Sequence, residues 1–414
     1  MGKKVAVIGG GYSGLAAAFT LAESGIPVTL FESSRTLGGR AKGMDWKGLR
    51  LDNGQHILLG CYRETLALIE KACRHPEPFL RIPLELSVDD FHIKTLPLPE
   101  PLNLLFGMLS AKGISFSEKL SALGFLSKMK FMKGLDINVS ELLEKYGQSC
   151  RLCELLWKPL CISALNTPIE IASSNVFISV LMDALNGSDM LIPRINLSSL
   201  FPSGAARFIT KNGGEILLSK PVRSVVKHHA GFDLLTDGET FSFSHVICAV
   251  APYHLSRLTE ALPEIRVQDF DYQPICTVYS QYPERVRLPG KMMGSSRGLA
   301  QWLFDRGAIC GQKGLIAAVI SAARLELSFD SIASTMHEET KKLVPDLPPP
   351  LWQKVILEKR ATFSCTANLQ RPGNETPLKD FYLAGDYTAS PYPATLESAV
   401  RSGLSCARLA LKTI

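Results

Sequence analysis

The chain has 414 residues, 46% of them hydrophobic and 20% charged, and its 45 Lys and Arg against 39 Asp and Glu leave a net charge of +6. This composition, with a mean hydropathy of +0.11, excludes a disordered or coiled-coil chain and suits two or three folded units at roughly 150 residues each. The basic excess is spread along the chain rather than gathered into an arm, which argues against nucleic acid and leaves an anionic membrane surface open. The run Val5-Ala6-Val7-Ile8 is too short for a signal peptide. The best apolar stretches, Pro101 to Ala111 and Gly314 to Ala323, fall short of the roughly 18 charge-free residues of a spanning helix. A cytosolic location is therefore expected. The ten cysteines then read as buried small hydrophobes. Cys150 and Cys153, the one close pair, have no second pair or neighbouring histidine and complete no zinc site. No metal is expected.

In chain order, Lys4 to Ile8 is a short β-rich run, Gly9-Gly10-Gly11-Tyr12-Ser13-Gly14 a tight turn, and Leu15 to Ser24 an alanine-rich helix stopped by Gly25. Pro27 to Phe31 is a second strand that ends in Glu32, completing a βαβ unit. Gly9 permits the turn, Gly11 lets the backbone approach a pyrophosphate and Gly14 lets helix and strand pack closely. Ser13 lies in this turn among the expected cofactor contacts, and the N-terminus of the helix faces the phosphate charge. Glu32 is placed to accept hydrogen bonds from a ribose hydroxyl. A dinucleotide is therefore expected, and up to this point it is NAD or FAD.

Leu37-Gly38-Gly39-Arg40 follows directly, where Gly39 and Arg40 can close over the pyrophosphate from the other side, a bidentate task that suits arginine. The arrangement resembles the extended fingerprint of the flavin amine oxidase and carotenoid desaturase superfamily, which implies FAD stretched across the chain. The fold it implies is α/β, a Rossmann-like FAD-binding domain interleaved with a mixed α+β substrate domain.

Further along, Lys211-Asn212-Gly213-Gly214 stops a helix, Glu215 to Leu218 and Pro221 to Lys227 read as strands, and Phe232 to Thr236 pairs with Glu239 to Phe243 through Asp237-Gly238, a strong hairpin signal. His228 and His229 on a strand edge point to opposite faces and cannot share a metal. His245 to Val250 is a buried strand. Near the end, Asp380 to Ala384 is a strand leading into Gly385-Asp386, and Pro393 starts a helix running to about Lys412. The resemblance implies that Val222 lies against the adenine and that Gly54, Gln55 and Gly385 line the cofactor. It also implies that Asp386 bonds the ribityl or pyrophosphate portion and that Thr395 and Leu396 present their amides to the N1 and O2 edge of the flavin. Reduced flavin carries negative charge there, and a helix N-terminus offers unpaired N–H groups. The expected division is residues 1–72, 194–264 and 351–414 for FAD, and 73–193 and 265–350 for substrate, with Leu347-Pro348-Pro349-Pro350 as the exit.

Stretches outside the fingerprint are more specific. Leu51-Asp52-Asn53-Gly54-Gln55-His56-Ile57-Leu58-Leu59-Gly60-Cys61-Tyr62, Leu156-Trp157-Lys158-Pro159-Leu160-Cys161, Leu165-Asn166-Thr167-Pro168, Ile192-Pro193-Arg194 and Gly385 to Pro393 together resemble the hydroxysqualene dehydroxylases of hopanoid biosynthesis. Lys158 stands where an acidic residue is usual and Ser398 where glycine is commoner. The resemblance implies hydride delivery from reduced flavin N5 to the carbon bearing the allylic hydroxyl of hydroxysqualene, releasing water and squalene. Hydroxide leaves poorly, so an acid must assist and any cation must be kept from water. His56 is the acid candidate, with a purely structural hydrogen bond as the other reading. Asp52 fits the satisfaction of backbone amides better. Arg194 either lines the entrance, binds a phosphate or makes a surface ion pair. Tyr387 and Tyr392 either stabilise a cation with their ring faces or pack on the flavin.

A long isoprenoid must come from lipid. Leu102, Leu104, Leu105, Phe106, Met108 and Leu109 precede Phe125, Leu126, Met129 and Phe131 mixed with Lys119, Lys128, Lys130 and Lys133, which reads either as a peripheral membrane contact or as a substrate-domain helix with a solvated lysine face. No second dinucleotide fingerprint is present, so a separate electron donor for FAD is expected. Two other readings stay open. One is a carotenoid or phytoene-type desaturase or another oxidase of the same fold, acting on a carotenoid, porphyrinogen or amine. The other is a prenyl-lipid escort protein without chemistry, against which the intact set Gly9, Gly11, Gly14, Glu32, Arg40 and Asp386 argues.

Overall fold

The computed structural model describes residues 3–96, 98–99, 102–132, 134–185, 189–322 and 326–414. Pro101, Lys133 and Ala323 lie outside the described residues. Five strands form a parallel sheet in the spatial order Glu215–Leu217, Val28–Phe31, Val5–Ile8, His245–Cys248, Phe381–Leu383. Val5–Ile8 and His245–Cys248 are buried along their whole length, the continuous burial that a parallel sheet covered on both faces requires.

The helix Tyr12–Glu23 packs behind the first strand with every residue but Thr20 and Glu23 buried. It begins three residues earlier than the alanine run suggests, because Gly11 is extended and serves as its N-cap. Alanines keep this helix thin, and the last helix, Leu396–Thr413, lies directly on it. A Cβ on Gly403 would come within 2.1 Å of the Ser13 carbonyl oxygen, so backbone meets backbone there. The last helix starts at Leu396 rather than Pro393, with Thr395 as N-cap in a reciprocal capping box with Ser398.

A seven-stranded sheet forms the other half of the molecule, in the order Trp352–Phe363, Tyr272–Gln281, Leu315–Ser321, Trp302–Asp305, Met292–Gly294, Glu85–Val88, Phe91–Lys94. Its first strand comes from the segment after 351 that the sequence division joins to the dinucleotide unit. Trp352–Phe363 instead pairs antiparallel with Tyr272–Gln281 from Gln281↔Trp352 to Tyr272↔Phe363. The proline run before it is irregular chain leading into that edge strand. A three-stranded antiparallel sheet, Ser224–His228, Gly231–Leu235 and Thr240–Phe243, turns at Gly238 with φ +88°. Its first strand begins at Ser224 instead of Pro221.

The helix-on-helix contact yields the first test. Gly403→Val should cost about 1–3 kcal/mol of stability by overpacking, seen as a lower urea midpoint. Gly124→Val, where a Cβ meets nothing within 4 Å, should move it by less than about 1 kcal/mol. Equal shifts from the two variants would contradict the packing described.

Candidate active site

A cavity of about 700 Å³ runs from the glycine turn to the interior of the larger sheet. Gly9 to Ser13, Glu32, Gly38 to Arg40, Gly54 to His56, Gly385, Asp386, Tyr387, Thr395 and Leu396 line one part of it. Leu86, Met108, Leu126, Leu156, Trp157, Leu160, Leu181, Met292, Trp302 and Phe304 line the other. The sequence-expected cofactor residues therefore converge on one space, with the exceptions of Gly14, which packs against the Gly9 carbonyl, and Val222. That residue packs in the cluster of Phe31, Val225 and Phe232 and is absent from the cavity wall.

The glycines leave a bare backbone cradle. Gly9 has φ +109°, and a Cβ on Gly14 would lie 1.9 Å from the Gly9 carbonyl oxygen, so neither position tolerates a side chain. The Gly38 amide donates to the Gly10 carbonyl at 2.9 Å, which ties the second glycine pair to the first. Glu32 accepts from the Gly10 amide through Oε2 and from the Ser34 amide through Oε1, both at 2.7 Å. It thus holds the turn as well as facing the cavity. The Ser13 hydroxyl is buried with no hydrogen-bond partner among the described residues. An open cradle, an orphaned hydroxyl and a helix N-terminus are what a dinucleotide pyrophosphate needs.

Arg40 and Asp386 meet across this space. Arg40 Nη2 donates to Asp386 Oδ1 at 2.6 Å and Nη1 to the Ala361 carbonyl at 2.9 Å. Burial works against the guanidinium charge, and the Asp386 carboxylate more than offsets it, holding the Arg40 pKa above its ordinary value. The Gly385 to Tyr392 loop is shaped by a residue the sequence reading missed. Arg371 donates to the carbonyls of Asp386 (2.6 Å), Tyr387 (3.2 Å), Ser390 (3.0 Å) and Tyr392 (2.7 Å). At the last helix the Thr395 amide is engaged inside the cap, donating to Ser398 Oγ at 3.0 Å and to the Pro393 carbonyl at 2.8 Å. Thr395 and Leu396 both line the cavity.

The three expected catalytic residues separate. His56 lines the cavity, with Nδ1 at 3.0 Å from the Gly54 carbonyl. Burial pushes its pKa below the usual histidine value, opposed in part by that hydrogen bond. Tyr392 points elsewhere, donating its hydroxyl to Asp183 and stacking under Arg401 at 5.1 Å. Tyr387 lines the cavity in its place, fully buried, its hydroxyl without a partner among the described residues. Arg194 is outside the cavity and pairs with Glu77 at 2.5 Å. Asp52 serves backbone, accepting from the Leu197 amide at 2.8 Å, and burial pushes its carboxyl up to about 6. Arg306, 2% exposed, was also missed. It donates to Gln55 Oε1 at 2.8 Å and fixes the residue next to His56.

The apolar wall has a local cause. A π-helical turn at Cys153–Trp157 widens the helix, and Leu156, Trp157 and Leu160 face the cavity. The Trp157 indole donates to Gln148 Oε1 at 2.9 Å, so the buried ring is satisfied. Lys158 turns away and pairs with Glu154 at 3.3 Å, which explains why its charge is tolerated.

A bare dinucleotide cradle opening into an apolar chamber defines a flavin-dependent oxidoreductase. Residues 12–411 match the model of the flavin containing amine oxidoreductases, and the chain belongs to that family. Its cofactor is FAD. The hydroxysqualene dehydroxylase of Zymomonas mobilis subsp. mobilis is 28% identical to it over 98% of both chains. That of Rhodopseudomonas palustris is 28% identical over 99% of both. A crystal structure of an oxidoreductase from Methanosarcina mazei shares the fold, with a TM-score of 0.72 at 17% identity over 97% of this chain and 99% of that one.

A Cβ on Gly11 would meet only the Gly39 Cα, at 3.9 Å, so Gly11→Val fills the cradle without disturbing the fold. The variant should purify colourless with an unchanged far-UV spectrum. A fully yellow variant would refute the assignment of the cradle.

Proposed function

We propose that this chain catalyses the reductive dehydroxylation of hydroxysqualene to squalene, with acid-assisted loss of water. The observation that carries the reading is the single cavity that joins the FAD cradle to an apolar chamber, together with full-length similarity to hydroxysqualene dehydroxylases. Bound reduced FAD supplies hydride to the carbon that loses the hydroxyl. The chain's own residues do the rest. Leu156, Trp157, Leu160 and Phe304 exclude water from the allylic carbon as positive charge develops there. His56, held by the Gly54 carbonyl, protonates the departing hydroxyl through Nε2. Tyr387 lines the same cavity and stabilises the developing charge. A separate electron donor reloads the flavin. The FAD unit is residues 1–72, 194–264 and the chain after the edge strand Trp352–Phe363.

The substrate enters from lipid. Helices Leu102–Ser110 and Phe116–Lys128 contribute Leu104, Met108 and Leu126 to the cavity wall. They also leave Phe106 45%, Phe116 67%, Leu120 50% and nearby Phe131 77% exposed. Lys119, Lys128 and Lys130 flank these side chains, so one surface combines apolar anchors, basic charge and a path inward. Among the described residues no helix is long and apolar enough to cross a membrane, which suits peripheral attachment.

Under an anaerobic supply of reductant, hydroxysqualene should be converted to squalene, identified in the extract. A more desaturated product would overturn the reading. His56→Ala should keep FAD and turn over at least about tenfold more slowly. Since the acid form of His56 is the active one and burial lowers its pKa, the wild-type rate should fall as pH rises through a midpoint below the usual histidine value. The variant should lose that dependence, and an unchanged rate would remove His56 from the mechanism. Replacing Phe116 and Phe131 by Glu should weaken sedimentation with anionic vesicles at unchanged Tm. Retained sedimentation would count against this entrance.

A further inference from the structure

A second cavity, of about 560 Å³, opens beside the first. Arg50, Arg74, His75, Arg194, Arg207 and Arg306 line it, and no acidic residue does. These side chains come from distant parts of the chain: the loop after helix Arg63–Ala72, the segment before Leu197, helix Pro202–Lys211 and the strand end at Asp305. Two of the cations have carboxylate partners at the rim, Arg194 with Glu77 at 2.5 Å and Arg50 with Asp45 at 3.6 Å. Among the described residues Arg74, Arg207 and Arg306 have no carboxylate oxygen within ion-pair distance.

Arg306 makes the pocket more than a patch of surface charge. It is 2% exposed, and both hydrogen bonds it makes end on neutral amides, Gln312 Oε1 at 3.0 Å and Gln55 Oε1 at 2.8 Å. The nearby carboxylates are committed to backbone. Asp52 accepts from Leu197, and Asp305 accepts from Leu288 and Ala308. The Asp52 carboxylate acts on Arg306 through space, but no carboxylate oxygen reaches the guanidinium among the described residues, so its remaining N–H donors are open to an anion. A concave site with several converging guanidiniums matches phosphoryl oxygens, which each fork can take in pairs.

We propose that this cavity binds a ligand bearing a diphosphate or phosphate group, with Arg306 at its floor and Arg74 and Arg207 at its mouth. The group belongs either to a soluble phosphate ester or to a lipid headgroup. The site stands on its own residues and does not depend on the identity of the substrate.

The test uses the FAD-loaded protein and inorganic pyrophosphate at constant ionic strength, followed by calorimetry. Pyrophosphate should bind more tightly than sulfate, and the double variant R74A/R207A should bind it at least about tenfold more weakly. Both side chains are exposed, so the flavin spectrum and Tm should stay unchanged. Displacement of the protein from phosphatidylglycerol vesicles by pyrophosphate would support the site and assign the headgroup source. Pyrophosphate binding without such displacement would support it with a soluble ligand. Absence of pyrophosphate binding to the wild type, or equal binding by the double variant, would overturn the proposal.

Discussion

The contact between the first helix and the last, where Gly403 rests on the Ser13 carbonyl, is the constraint on which the site depends. It brings residues nearly the whole chain apart into one wall. Once that register is set, Asp386 stands opposite Arg40, and Thr395 lines the same cavity as the glycine turn. A larger residue at 403 would push the last helix outward and open the cradle along its length. Arg371 completes the arrangement from outside by gathering four carbonyls of the Asp386 to Tyr392 loop. Burial lowers its pKa, yet each N–H it offers replaces a water that the closed loop excludes.

The cavity divides by chemistry. Near the cradle it offers backbone amides, a glutamate held by two amides and an ion pair, which suit a polyanionic dinucleotide. Beyond Gly54 to His56 it is built from the π-turn of Cys153–Trp157 and the inward face of the large sheet. The hydride transfer coupled to loss of water that we propose would need this juxtaposition, because a developing allylic cation survives only where water is excluded while the departing oxygen still meets an acid. His56 lines the same cavity, its neighbour Gln55 held by Arg306.

The parts of the site legible in the sequence are those whose geometry is local. The βαβ turn follows from glycine spacing and the acid after the second strand, and the Asp237-Gly238 hairpin follows from its dipeptide. The return of Gly385-Asp386 was legible through resemblance. What stayed hidden depends on long-range packing. Trp352–Phe363 belongs to the large sheet because its partner is Tyr272–Gln281, which no nearby residue announces. Tyr392 and Tyr387 stand close together in the same segment, and only the path of the loop held by Arg371 decides which faces the cavity. The Thr395 amide donates to Ser398 Oγ and the Pro393 carbonyl, a pairing that emerges only with the cap geometry. Arg306 and Arg371 carry no motif, so their roles emerge only from the hydrogen bonds they make across the fold.

The most direct test of this account is an anaerobic single turnover. The bound flavin is photoreduced, hydroxysqualene is added, and flavin absorbance is followed while the extract is assayed for squalene. The account predicts reoxidation of the flavin matched one for one by squalene. A flavin that stays reduced in the presence of hydroxysqualene would contradict it.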